Sequence, residues 1–502
     1  MTVPSGRTLN ITNALTVLGT GSLVFDNNAS LVQGSATTVS SNVGNITYKR
    51  NTVAVRRYDF TYWSSPVSGF TLHDLSPGTA ANMYQSYDPF SGWVSHMNGA
   101  AVMTPGIGYI VRASESNSLT VGSVHSASFV GVPNNGDVNM KPIPAKWNLV
   151  GNPYPSALDA TKFIQANTAG PNPTIVGTVY FWTHNTAPAV TDPTKPNIYA
   201  YTSNDYAVFN LSGSVATREA ISDPTANPSD NIPTGSIASG QGFFVKALTD
   251  TPIKFTNSMR VATAGNSQFF KTDKTTGVRD RLWLNFKNAK GAFKQVLIGY
   301  FDEATNSFDN NYDATTLNGN PYVDFYSVNE TKKLTIQGRA LPFENSDLIP
   351  LGYRSTIDGE FTIAIDHTEG ILDGQTIYLE DKKTGVIHNL NTSDYNFIAE
   401  TGTFTDRFVL RYTNKTLGTG DFENSPDGIL VSVKNKVINV LSSKENIKEV
   451  TIFDITGKLL YSKNKVSNTE LQIQNLPSGN QVLVVKITLE NDASVTRKII
   501  FQ

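Results

Sequence analysis

The chain has 502 residues, a formal net charge of −2, only 16% charged residues and no cysteine. That length exceeds what one ordinary core fills. The near-zero charge gives no electrostatic case for nucleic acid or an anionic membrane. The missing thiols exclude disulfides, thiolate zinc sites and a cysteine nucleophile.

Abundant Asn, Thr, Ser and Gly with few charges suit a β-rich extracellular protein, and no run approaches the roughly 18 apolar residues of a membrane span. Residues 1–30 lack a basic segment followed by an apolar one, so they contain no entry signal. The expected architecture is all-β: the end of a β-solenoid over 1–45, a duplicated β-rich region over 46–267, and a β-sandwich-like domain over 268–412. A linker over 413–427 and a C-terminal Ig-like β-sandwich over 428–502 complete it.

In the first segment Leu15, Leu23 and Leu31 recur at a spacing of eight, each opening an alternating run that Gly or Asn breaks. Such runs suit rungs of a β-solenoid. The duplicated region repeats three phrases in order. Tyr58–Pro66, Met83–Trp93 and Pro105–Ala113 correspond to Trp147–Pro155, Val179–His184 and Ser239–Ala247. Each copy runs strand, Pro-containing turn, aromatic strand and Gly-x-Gly-aromatic strand. No Lys-Ser/Thr follows either Gly-x-Gly, so both are read as turns and not as phosphate loops. The second copy carries a long insertion, Asn185 to Ile237, and a short helix is expected at Leu158–Gln165.

The third segment offers strands at Arg281–Phe286, Gln295–Tyr300, Leu334–Gly338, Phe361–Asp366, Thr376–Glu380 and Arg407–Tyr412. Chemistry is sparse along this body. Histidines 73, 96, 125, 184, 367 and 388 show no metal-ligand spacing, and no nucleophile elbow or His-Glu-x-x-His occurs. The chain is therefore read as a non-enzyme. The adjacent acids Asp302-Glu303 and Glu380-Asp381 are read as solvated turns. Asp302, Asp309 and Asp313, interleaved with Asn306, Asn310 and Asn311, form an oxygen-rich loop that is the one candidate for calcium. No other cofactor is expected. The run Tyr84-x-x-Tyr87-x-x-Phe90-x-x-Trp93 is read as core packing, with a sugar-stacking platform as the rival.

Strand follows strand after Gly428: Ile429–Val433, Lys436–Leu441, Val450–Ile455, Leu459–Tyr461, Glu470–Ile473, Val482–Leu489 and Val495–Phe501. Turns fall at Thr456-Gly457 and Pro477-Ser478-Gly479. From Gly428 onward 10 Lys and Arg stand against 6 Asp and Glu, so this segment is +4 and the remainder −6. Four phrases in order against the C-terminus carry a family likeness. They are Val450-Thr-Ile-Phe-Asp-Ile-Thr-Gly-Lys458, Leu476-Pro-Ser-Gly479, Val484-Val-Lys-Ile487 and Arg497-Lys-Ile-Ile-Phe501. Together they resemble the C-terminal sorting domain of type IX secretion cargo in Bacteroidetes. Asn480-Gln481, where the commonest version has Val-Tyr, resembles the variant called type C. Phrases in the body, among them Gly151-Asn-Pro-Tyr-Pro155, are similar to the region preceding that domain in large flavobacterial surface proteins.

The resemblance implies export across the outer membrane to the cell surface or medium after periplasmic transit. It implies as partners the type IX translocon and its outer-membrane barrel shuttle protein. Its recognition positions would be Gly457, Lys458, Leu476, Pro477, Gly479, Lys498, Ile499, Ile500 and Phe501. An export tail without an entry signal predicts native sequence ahead of Met1. The expected function is an adhesin-like surface protein, binding a surface glycan or another adhesion target. The alternative is a carbohydrate-binding accessory region of a secreted polysaccharide-degrading enzyme.

Overall fold

The computed structural model describes residues 1–34, 41–119, 121–183, 205–217, 233–262, 266, 279–317, 319–414, 428–434, 436–443, 445–474, 476, 479 and 481–501. Residues 415–427 of the expected linker, most of the Asn185–Ile237 insertion, His184 and Pro477 fall outside these residues. The chain is all-β, with two short α-helices among the described residues, and it divides into two compact units, Met1–Tyr412 and Thr413–Gln502.

Parallel pairing opens the first unit. Thr2–Val3 runs beside Val24–Phe25, which runs beside Ile46–Val55, while Thr8–Ile11 pairs with Ser30–Gln33. Thr2 meets Val24 and Thr8 meets Ser30, so partners lie 22 residues apart along the chain. The eight-residue leucine spacing is thus not the stacking repeat. It marks successive short runs, of which Leu23 and Leu31 reach the core and Leu15 packs at its margin. The ten-residue strand Ile46–Val55 ends the parallel pairing, because its other edge pairs antiparallel with Ser123–Gly131.

The two similar stretches fold into sheets with one strand order. In the first, the order is Phe60–Trp63, Tyr109–Arg112, Tyr84–Asp88, Gly92–Ser95; in the second it is Trp147–Gly151, Gly242–Lys246, Thr178–Thr183, Asp205–Asn210, then Gly213–Val215. Each Gly-x-Gly crosses the backbone of the other sheet. Gly108 N donates to Leu149 O (3.1 Å) and Gly151 N to Gly106 O (3.1 Å). Reciprocally, Ser64 N donates to Gly240 O (2.8 Å), and Trp63 forms an antiparallel bridge with Gln241. A Cβ on Gly108 would lie 2.6 Å from Val150 O, and one on Gly151 would lie 2.3 Å from Ser64 Cβ. These glycines serve close backbone approach, which is why neither motif opens a helix. The helix of this region is Ala160–Thr168, shifted from the expected Leu158–Gln165 because Asp159 caps it by accepting from Lys162 N.

Arg260 ties the parallel stack to the second copy. Its guanidinium donates to Leu31 O (2.6 Å), Ser156 Oγ (3.3 Å) and Asn257 Oδ1 (3.1 Å), and lies 4.8 Å from the Tyr154 ring centre. Among the described residues no carboxylate pairs with it, and burial pushes its pKa down to about 10.

The third segment forms one large sheet that folds back on itself. Along its path run Val386–Asn389, Tyr378–Asp381, Gly402–Arg411, Leu348–Ser355, Val323–Asn329, Lys332–Ala340, Phe293–Phe301, Asp280–Lys287, Gly359–Glu369 and Tyr395–Ala399. Phe397 from the last strand touches Phe408 (5.0 Å) and Tyr353 (5.7 Å) near the other end, so the sheet encloses its own core. The second unit is a two-sheet sandwich. Ile429–Lys434, Val437–Ser442 and Glu470–Ile473 make one sheet; Leu459–Asn468, Ile447–Asp454, Gln481–Leu489 and Ser494–Phe501 make the other. All seven expected tail strands are present, with ends shifted by a few residues or, in Leu459–Asn468, extended.

Gly108→Ala inserts one methyl into the crossing without changing a left-handed residue. It is expected to cost about 1–3 kcal/mol, read as a lower denaturation midpoint. Gly92→Ala, where nothing lies within 4 Å of the added Cβ, isolates the backbone penalty of a positive φ for comparison.

Candidate functional site

The tail residues singled out by the sequence divide by strand geometry. Ser494–Phe501 ends its sheet, laddered along Gln481–Leu489, and Arg497 Nη2 reaches Ile429 O (3.4 Å) of the other sheet. Its alternation sends Ile499 and Phe501 into the core, 8% and 1% exposed, and turns Lys498 and Ile500 outward, Ile500 at 65%. Ile499, Ile500 and Phe501 therefore do not all pack. Lys498 pairs with Val484, Val484 with Phe453 and Phe453 with Leu459, so these four share one outer row, and Ile500 lies beside it opposite Val482. Leu459 is 52% exposed, which leaves an apolar row ending on a cation.

Gly457 sits at φ +86° in a turn organised by Asp454, whose Oδ1 accepts from Thr456 Oγ1 (2.6 Å), Thr456 N (2.8 Å) and Lys458 N (3.0 Å). The Thr456 hydroxyl bond leads the effects that hold the Asp454 carboxyl below its usual range. Lys458 is exposed, Leu476 is buried in the sandwich core and Gly479 is exposed.

In the loop read as a calcium candidate the three carboxylates stand apart. Asp302 is exposed, Asp309 Oδ2 accepts from Thr305 Oγ1 (3.0 Å), and Asp313 is fully buried. Both Asp313 oxygens accept backbone N–H groups, from Asp309 (2.8 Å) and Gly338 (2.8 Å). Among the described residues no three His, Cys, Asp or Glu side chains are grouped to hold a metal ion. The loop is instead a joint. Asn310 O accepts from Gly177 N (2.9 Å), Asn311 O from Leu211 N (3.2 Å) and Tyr312 O from Ser212 Oγ (2.7 Å), all from the second copy.

The adjacent pair Glu380-Asp381 is also not a solvated turn. Asp381 is wholly buried and bridged by Arg407 (2.9 and 3.2 Å), while Glu380 pairs with Arg411 (2.6 Å). In the run from Tyr84 to Trp93, Tyr84 is core. Tyr87 and Trp93 meet Phe244 of the second copy edge-on at 4.9 and 6.1 Å, and Phe90 is 73% exposed at the hairpin tip.

A constellation missed in the sequence lies on strand Gly359–Glu369. Trp283 pairs with His367 but Leu284 pairs with Ile365, so Asp366 is the extra residue of a β-bulge. A bulge lets neighbours share a face, and His367 Nδ1 and Asp366 Oδ2 meet at 2.8 Å. Behind them Gln295 Nε2 donates to Asn285 Oδ1 (2.8 Å), and Asn285 Nδ2 donates to Asp366 Oδ1 (2.7 Å). The His367 ring stacks on Trp283 at 4.0 Å, and the Arg281 guanidinium lies 4.9 Å from the Trp283 ring centre. Arg281 in turn pairs with Glu369 (2.8 Å). All of these but Asn285 line a cleft of about 710 Å³ between the second copy and the large sheet. Two adjacent polar residues, Asp366-His367, interrupting an alternating strand were the available signal.

Burial raises the Asp313 pKa from 3.8 to about 7, against the two backbone N–H bonds that lower it. The folded chain then keeps a proton that the unfolded chain releases near 3.8. Stability is expected to fall as pH rises through the interval from about 4 to about 7 and to level off above it. Thermal midpoints measured across that range should lose this part of their slope in Asp313→Asn. In the tail, Phe501→Ala is expected to cost about 3–5 kcal/mol, whereas Ile500→Ala and Lys498→Ala should stay within about 0.5 kcal/mol in chemical denaturation.

A family model described as a domain of unknown function (DUF8693) matches residues 1–412, and a second, also a domain of unknown function (DUF8694), matches residues 417–501. No curated protein matches the chain. Solved structures with some likeness include the central fibronectin-III array of RIM-binding protein, at 10% identity, 46% of this chain, 90% of that chain and a TM-score of 0.11. The 47-kilodalton lipoprotein Tp47 of Treponema pallidum gives 10% identity, 68% and 90% coverage and a TM-score of 0.13. The BSP domain of a biofilm-associated protein gives 11%, 91%, 92% and 0.16. At such scores these likenesses carry no argument. One model spans the whole first unit, 412 of 502 residues, and the chain belongs to the family of that domain of unknown function, DUF8693.

Proposed function

We propose that this is an adhesin-like protein of the cell surface or medium, exported by the type IX secretion system, with the second unit as its export signal. The observation that carries the reading is the terminal strand. The phrase Arg497-Lys-Ile-Ile-Phe501, last of the four that resemble a sorting domain, lies on the last strand of its sheet and alternates between core and solvent. An edge strand offers unpaired N–H and C=O groups to a partner, and Lys498 and Ile500 are the side chains free to add specificity. The unit is compact by itself, as a signal that works behind different cargoes has to be. The parallel strands at the other end, with partners 22 residues apart, support the reading of a solenoid end.

Fusing Gly428–Gln502 to a periplasm-targeted reporter should send it outside a cell that owns the machinery. Removing Arg497–Gln502 should abolish export, as should Phe501→Ala if it unfolds the sandwich. Lys498→Ala with Ile500→Ala separates recognition from folding, since both residues are exposed. Export should drop severalfold while the denaturation midpoint holds. A folded fusion that stays in the periplasm overturns the reading.

A further inference from the structure

We propose that the cleft beside His367 binds a neutral oligosaccharide, an assignment independent of the export reading. The cleft, about 710 Å³, has the size of small-ligand sites. Its lining carries four carboxylates, Asp159, Glu303, Asp366 and Glu369, against the guanidiniums of Arg279 and Arg281. Arg281 pairs with Glu369, Asp366 is held by Asn285 and His367, and Asp159 caps a helix. No excess of cations is left to draw an anion.

What remains are acceptors. A carboxylate only accepts, so in its neutral form the His367 ring donates through Nδ1 to Asp366 and keeps Nε2 as an acceptor. Nε2 has no partner among the described residues, and neither does Glu369 Oε1. The chain Gln295–Asn285–Asp366 and the Trp283 stack fix the imidazole in place, so its orientation is set before a ligand arrives. Two fixed acceptors call for a ligand rich in hydroxyl donors. The half-buried rings of Phe209, Phe301 and Tyr312 on the same cleft suit the C–H faces of sugar rings.

The test uses the full chain and saturation-transfer NMR with tri- and tetrasaccharides of the cello-, malto-, laminari-, xylo-, manno- and N-acetylchito- series. Charged controls are trigalacturonate and triglucosamine. At least one neutral series should bind, with affinity at least tenfold weaker in His367→Phe, which keeps the Trp283 stack, and in Glu369→Gln. Circular dichroism should show both variants folded. Failure of every neutral series, stronger binding of a charged control, or binding that both folded variants retain would overturn the assignment.

Discussion

The body of the protein depends on two backbones passing at a distance that only glycine allows. Gly106 and Gly108 lie against Leu149–Gly151, and Gly240 and Gly242 lie against Trp63 and Ser64, each with backbone hydrogen bonds. The contact is reciprocal: each sheet offers its Gly-x-Gly to the first strand of the other. Van der Waals contact falls steeply with separation, so this closeness also brings Tyr62, Tyr87, Trp93 and Phe244 into one aromatic group. The duplication is thereby a single packed object and not two modules in series.

The large sheet joins this object through polar groups as much as through apolar ones. Trp283 Nε1 donates to Ser214 O (2.8 Å), Tyr180 Oη to Thr315 O (2.9 Å), and Ala216 N to Gln295 Oε1 (3.0 Å). Asp313 completes the arrangement by holding the 302–313 joint to Gly338. Buried polar bonds of this kind add little net stability but cost much when half broken. They fix which residue meets which, and the cleft beside His367 is a product of that fixed relation.

What was legible in the sequence was local. Alternation and turn chemistry gave the tail strands, because one face of each is buried and the other solvated. The large sheet was harder. Leu348–Ser355 contains Pro350 and Gly352, which read as breakers, yet Pro350 sits in the ladder opposite Val409. Contacts distant in sequence were not legible. Nothing local marks Asp313 as buried, Asp381 as the partner of Arg407, or Asp366 as a bulge that turns His367 beside it. An Asn- and Asp-rich loop looks alike whether its oxygens face a cation or a neighbouring backbone, since both supply positive partners.

One strand has a mechanical consequence. Ile46–Val55 is bonded along one edge to the parallel strands and along the other to Ser123–Gly131. Tension drawn along its axis loads the long antiparallel ladder in shear, so that many hydrogen bonds must yield together and not one after another. Resistance to pulling is governed by the rate of forced opening, not by equilibrium stability. The place where strand direction changes is therefore where this body is best built to bear load.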